Sequence, residues 1–448
     1  MKTVFTIVLL FFIQSILSAQ TLDEYIQIGL ENNLQLRQED QDLQVAVSRL
    51  KQSRSLFFPA VDIKSSYTKA AGGRTIDFPV GDLLNPVYQS LNELTGSNFP
   101  TNIRNVNEQL IPDNFHDTRM QIAQPLFNTD IYFSYKALKS AVSVAEARRD
   151  AYRQELIMEI KQAYYRYAQT VEALRILESN RDLIEEIKRL NTSYVENGKA
   201  TEDAIYRAQY QLDELESDLA EARSRRISAQ SYFNFLLNRD LKDSIHVDDT
   251  RPDLQPSLFT LPRDQAIQTA LQEREEITAV ESGMQVGQAL LKLEKASYLP
   301  SLSAGASVGY QGEAFRFGGD EDYQLLQVNL TLPLFQGLQR KHKVEEARIS
   351  LRHSETRLEE VRQHIRLQVI QAHENLRAAR EHLAAKESKH RSAKKTFEII
   401  EKKYREGQVL LIDFMDAQTN YLNARLEVSI AEYRLKQEEA AFQRTLSL

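Results

Sequence analysis

The chain has 448 residues, 27% of them charged, with a formal net charge of −7. That balance argues against a nucleic-acid binder, which needs a basic face. Its 42% hydrophobic share is enough for a core, while only 15 Gly and 11 Pro favour long uninterrupted helices, and the absence of cysteine removes disulfides and the acceptor for an N-terminal lipid.

The opening stretch, MKTVFTIVLLFFIQSILSAQ, has Lys2 before an apolar run from Val4 to Leu17 and a small residue, Ala19, at a plausible cut. It reads as a secretory signal over 1–19, with mature chain from near Gln20. No later run approaches the ~18 apolar residues of a membrane-spanning helix. Entry into a bilayer would therefore require a closed β-barrel.

The rest falls into two copies of one plan: helix, strand, loop, strand, very long helix, glycine turn, helix. The first repeat covers 20–239, helical until shortly before Pro59, with strands near 60–69 and 117–125 and long helices over 126–239. A polar linker, 240–262, leads to the second repeat at 263–448, helical until shortly before Pro300, with strands near 301–311 and 323–333 and long helices over 334–446. Pro59 and Pro300 each stop a helix and open a strand. The turn glycine follows the strand-closing proline by 73 residues in one half (Pro125 to Gly198) and 74 in the other (Pro333 to Gly407). Between the first two strands, Ala70 to Asn114 forms a long insert, read as a surface lid or a loop lining an exit, with a variable loop of no gating role as the alternative; its second-half counterpart GEAFRFGGDED is short.

From about Asn128 to Val195 and from about Gln336 to Arg405 no proline occurs. At ~1.5 Å per residue, seventy helical residues span roughly 105 Å. Apolar or small residues recur in the second stretch at Val344, Ala347, Leu351, Leu358, Val361, Ile365, Ala372, Leu376, Ala379, Leu383, Ala393, Phe397 and Ile400. Steps of three, four and seven mark a coiled-coil seam, and the four from Ala372 to Leu376 reads as a stutter.

The strands have period two. Leu302, Ala304, Ala306, Val308 and Tyr310 alternate with polar or small residues, as do Leu326, Val328, Leu330 and Leu332. Val61, Ile63 and Tyr67 do so less cleanly in the first repeat, as do Met120 and Ile122. One face suits lipid and the other water. Four strands cannot close a barrel, since the smallest outer-membrane barrels have about eight. Several chains must pool their strands, and the sequence alone does not choose between two chains and three.

Three decoys carry no chemistry. GASVG at Gly305–Gly309 matches a nucleophile motif, but Ser307 continues an alternating strand where the motif needs a sharp turn into a helix. The histidines from His342 to His390 include no pair four residues apart, so no helical zinc site is expected. No nucleotide-binding fingerprint is present; any transport must be powered by a partner or by diffusion.

The duplicated plan, the four strands, the long helices and the paired turns YVENGKATEDAIYRAQ and YREGQVLLIDFMDAQ resemble the TolC-like outer membrane efflux proteins over essentially the whole mature chain. The implied fold is mainly α with a small β part: a long coiled-coil helical tunnel plus four strands contributed to a shared transmembrane barrel. The implied function is a passive exit duct of a tripartite efflux or type I secretion system. It would lie in the outer membrane with its tunnel in the periplasm, and it would not be an enzyme. The resemblance implies a homotrimer in outer-membrane lipid, a periplasmic adaptor and an inner-membrane pump, and no cofactor or nucleic acid. A second reading, a periplasmic coiled-coil scaffold that never inserts, leaves the alternating strands without a role.

The resemblance also assigns sites. Gly198 and Gly407, with Tyr194, Lys199, Gln408 and Val409, become the hairpin tips that meet the adaptor. Asp413, Asp416 and Tyr404 become the pore constriction, the two carboxylates lying three residues apart on one helix face. A ring of six carboxylates would favour cations and bind those that plug it. The residues alone also fit solvated acids near a helix N-terminus. Two family positions differ: Val409 stands where the tip-closing arginine belongs, and Ala204 where its aspartate belongs, with Asp203 one step early. Ties through Arg405 or Lys199, or loosely tied tips, are both open.

Overall fold

A computed structural model describes residues 21–247 and 256–447. The expected signal over 1–19 and part of the 240–262 linker lie outside the described residues. In the first repeat, α1 (Leu22–Asn32) and α2 (Leu34–Ser55) precede β1 (Ala60–Thr68). The insert then holds β2 (Thr75–Phe78), α3 (Val80–Thr95) and β3 (Val106–Gln109), before β4 (Phe115–Phe127), α4 (Thr129–Glu196) and α5 (Asp203–Leu236). A short α6 (Pro256–Thr260) leads to the second repeat: α7 (Arg263–Glu273), α8 (Glu275–Ala296), β5 (Ser301–Glu313), β6 (Asp322–Thr331), α9 (Gln339–Arg405) and α10 (Leu411–Thr445).

Duplication extends to element lengths. α1 and α7 both have 11 residues and α2 and α8 both have 22. α4 and α9 have 68 and 67, and α5 and α10 have 34 and 35. Each leading helix, expected to be continuous, is broken once. At Asn33 the side chain accepts from the Leu36 N–H at 2.9 Å and donates to the Leu236 carbonyl at 2.9 Å, so one residue caps the new helix and ties it to α5. At the matching place, Arg274 leaves the helix to pair with Glu276 at 2.6 Å.

The chain forms two compact units, each with segments of both repeats. One comprises residues 49–138 and 287–349 and contains the sheet, in the order β1-β4-β5-β6, antiparallel throughout. Register places Val61, Ile122, Ala306 and Leu326 in one cross-strand row and Lys64, Arg119, Gly309 and Tyr323 in the row of opposite facing. The apolar rows are bare: Ile63 is 79% exposed, Leu326 79% and Leu330 68%. On the polar face Arg119 and Tyr323 both bond Asp117, at 2.9 and 3.1 Å. Ser307 lies inside β5 opposite Gln121.

The other unit is helical. Tyr25, Leu156, Ile160, Phe233 and Leu237 form a core for α1, α4 and α5. Ala266, Ile277, Ile365, Val369, Leu435 and Phe442 form its counterpart for α7 to α10. The α9 seam buries Leu358, Ile365, Ala372, Leu376, Ala379 and Phe397 as expected, and adds Val369, which is fully enclosed. With Val369 included, the two successive steps of four fall at Val361–Ile365–Val369, one heptad before the expected stutter.

Candidate functional site: the paired hairpin tips

The two turn glycines do the same work. Gly198 has φ 64° and Gly407 φ 71°, a region where a side chain is strained and glycine is not. Around Gly198, the Lys199 N–H donates to the Tyr194 carbonyl at 2.7 Å and the Gly198 N–H to the Val195 carbonyl at 3.0 Å. Around Gly407, Gln408 donates to Lys403 at 2.8 Å and Gly407 to Tyr404 at 3.0 Å. Both are Schellman closures, which satisfy the last carbonyls of α4 and α9. Lys199 and Gln408 therefore act at the turns through their backbone amides. The tyrosine offset is also explained: Tyr194 accepts the outer bond and Tyr404 the inner one.

Side chains then cross between the repeats. The Tyr194 hydroxyl donates to the Arg405 carbonyl at 3.0 Å, and the Tyr404 hydroxyl donates to the buried Asn191 carboxamide. Tyr404 stacks on Phe414, ring centroids 5.0 Å apart, and burial pushes its hydroxyl pKa above the usual value. Arg405 reaches Glu186 at 2.8 Å and Glu401 at 2.9 Å, and its hydrogen bond holds the Glu186 carboxyl below the usual range. Beneath this layer the buried Gln418 amide bonds the Asn180 carboxamide. Tyr194, Lys199, Asp203, Arg207, Arg405 and Val409 help to line a cleft of about 770 Å³ between the hairpins.

The departures from the family pattern resolve in different ways. Val409 is half-buried against the cluster of Ile187, Tyr404 and Phe414. Ala204 is buried, and Asp203 is held locally by Thr201 and, at 3.1 Å, by Arg207. Of the two alternative ties, Arg405 joins α9 to α4 through Glu186. Asp413 and Asp416 are exposed on α10, whereas Phe414, Ala417 and Gln418 between and beyond them are buried. Asp413 also accepts the Leu410 N–H at 3.3 Å at the start of α10, and Asp416 accepts from Asn420 at 3.1 Å. Among the described residues, no group of three or more His, Cys, Asp or Glu is placed to hold a metal ion.

Asn180 and Asn191 lie outside every motif and resemblance quoted above. Their signal was available: with Leu177, Ile184 and Ile187 they follow steps of three and four along α4, so each is an amide in a seam position.

Residues 266–447 match the family described as outer membrane efflux protein. The chain is 19% identical over 437 residues to the outer membrane protein TolC of Escherichia coli (strain K12), covering 94% of this chain and 80% of that one. The family match covers the second repeat, and the likeness to TolC extends along nearly the whole chain. The chain shares its fold with the Campylobacter jejuni CmeC outer membrane channel (TM-score 0.74, 18% identity, 95% of this chain and 85% of that one). A membrane protein of Pseudomonas aeruginosa aligns with a TM-score of 0.77 at 16% identity, covering 95% and 92%. The open state of the Neisseria gonorrhoeae MtrE channel gives 0.72 at 17%, covering 95% and 88%. These likenesses support an outer-membrane exit duct with a helical tunnel in the periplasm, and the scaffold reading is not favoured. The relatives are channel proteins, not enzymes.

Proposed function

We propose that three copies of the chain close one barrel and one tunnel, and that this trimer is the passive outer-membrane segment of a tripartite export assembly. The observation that carries the reading is the sheet: four strands, apolar on one face, with β1 and β6 unpaired at its edges. Open edges are not tolerated in lipid, so β6 of one copy must pair with β1 of the next. In this reading the glycine turns are the surface offered to a periplasmic adaptor, and an inner-membrane pump supplies the energy. The chain performs no chemistry of its own.

Purified protein reconstituted in planar bilayers tests this. Trimeric particles in detergent and a discrete conductance are expected. A monomer that stays in the aqueous phase and conducts nothing would overturn it.

Asp413 and Asp416 are proposed as the constriction, because their exposure and common helix face leave them free to converge across copies. Asp413→Asn with Asp416→Asn is expected to weaken cation preference and block by divalent cations. Unchanged selectivity in the double variant would remove the ring.

A further inference from the structure

The insert between β1 and β4, expected as a surface lid or a loop lining an exit, is a folded module. Asn85 exchanges hydrogen bonds with the Ile103 backbone at 2.8 and 2.9 Å, and Asn92 with that of Phe99 at 2.8 and 2.6 Å. Asn105 accepts from the Gly81 N–H at 2.9 Å and donates to Asp82 at 2.8 Å. Tyr88 stacks on Phe99, and Gly96 ends α3 at φ 68°. At the neck, Asp113 is bonded by Lys69 at 3.1 Å and by the Ala70 N–H at 3.0 Å.

A module so fully bonded within itself still leaves an apolar stripe bare. Leu83, Val87 and Leu94 are 66%, 51% and 83% exposed and lie on one side of α3. A second bare patch is the cross-strand pair Phe78 and Val106 on the β2–β3 hairpin.

Charge argues against lipid as the occupant. Helices that lie on membrane surfaces carry Lys and Arg on their polar side. α3 has none, and its charged residues are Asp82 and Glu93. Position favours another copy. The insert leaves from β1, the edge strand that must meet a neighbour. A twelve-stranded barrel is roughly 25 Å across. α3, at about 24 Å, is as long as that mouth is wide, so three inserts directed inward would meet.

We propose that the α3 stripe packs on the β2–β3 hairpin of the neighbouring copy, so that three inserts form a closed collar at the outer mouth. The proposal rests on the three-copy reading above. A stripe meeting a different patch is the form of contact a three-fold ring requires.

The cysteine-free chain allows a direct test. The double variant Leu94→Cys/Val106→Cys, treated in isolated outer membranes with a short bis-maleimide, should give dimers and trimers on denaturing gels. The control Gln89→Cys/Glu93→Cys, on the polar side of α3, should give neither. Leu94→Cys alone should react about tenfold or more slowly with a water-soluble maleimide than Gln89→Cys, the protection expected for a buried leucine-sized group. Fast alkylation without a ladder, in protein that light scattering shows to be trimeric, would overturn the collar alone. Slow alkylation without a ladder would assign the stripe to lipid and also overturn it. Monomeric protein would overturn the collar and the three-copy reading together.

Discussion

At residue scale, the turns depend on two backbone conformations and little else. A Cβ at Gly198 or Gly407 would meet no atom within 4 Å, so the cost of a side chain there is pure backbone strain. Gly407→Ala should cost about 1 kcal/mol, or roughly fivefold in local opening. Hydrogen exchange at the Gln408 amide, which closes the turn onto Lys403, should accelerate by that factor; unchanged protection would show that the left-handed conformation is not needed. The buried ion network of the helical unit makes a pH prediction. Burial alone pushes the Glu276 carboxyl up, but the Arg274 hydrogen bonds and the charges of Arg274 and Arg444 outweigh it and hold the group at about 2. This folded value lies below the ordinary 4.5, so the stabilisation is complete above pH 4.5 and is lost as pH falls towards 2. With Glu276 31% exposed, the contribution is on the order of 2 kcal/mol after allowance for solvent. Glu276→Gln should therefore lower the thermal midpoint at pH 7 and leave it nearly unchanged at pH 2. An equal loss at both values would exclude an electrostatic origin.

At element scale, the long helices and paired strands could be read from sequence because their signals are periodic and local. Pro59 and Pro300 bound the strands, and lipid-facing alternation repeats along each. What could not be read depends on partners distant in the chain. The break at Asn33 needs the Leu236 carbonyl, and Asn191 matters through a tyrosine 213 residues away. α3 is hidden in the sequence because Pro86 inside it reads as a breaker and much of its bonding is to residues across the insert. The seam amides give this scale its test. Asn180 and Gln418 are both buried and pair across the two repeats. Asn180→Leu alone strands the Gln418 amide and should cost about 1–3 kcal/mol. Asn180→Leu with Gln418→Leu removes both polar groups and should recover most of that loss. Thermal melts followed by helical circular dichroism give the double-mutant cycle. Additive losses would mean that the amides do not act as a pair.

For the whole molecule, everything distinctive about a duct in a membrane comes down to which face of the sheet meets lipid. Val328 and Asn329 are neighbours on β6, so their side chains point to opposite faces. Val328 is 61% exposed in the single chain and shares its face with Leu326 and Leu330, whereas Asn329 pairs with Ser303 on the polar face. A cation on the lipid face of an outer-membrane barrel costs about 2–4 kcal/mol near the bilayer midplane, while lumen substitutions mainly tune selectivity. In a symmetric trimer each change is made three times, so the cost of Val328→Arg is threefold per assembled barrel. Val328→Arg should therefore fail to form the trimer in lipid vesicles. Asn329→Arg should assemble normally, and its conductance should shift away from cations. A globular helical protein with an incidental hairpin would tolerate both substitutions equally. The opposite outcome, with Asn329→Arg blocking assembly and Val328→Arg harmless, would invert the sheet and place water where lipid is proposed.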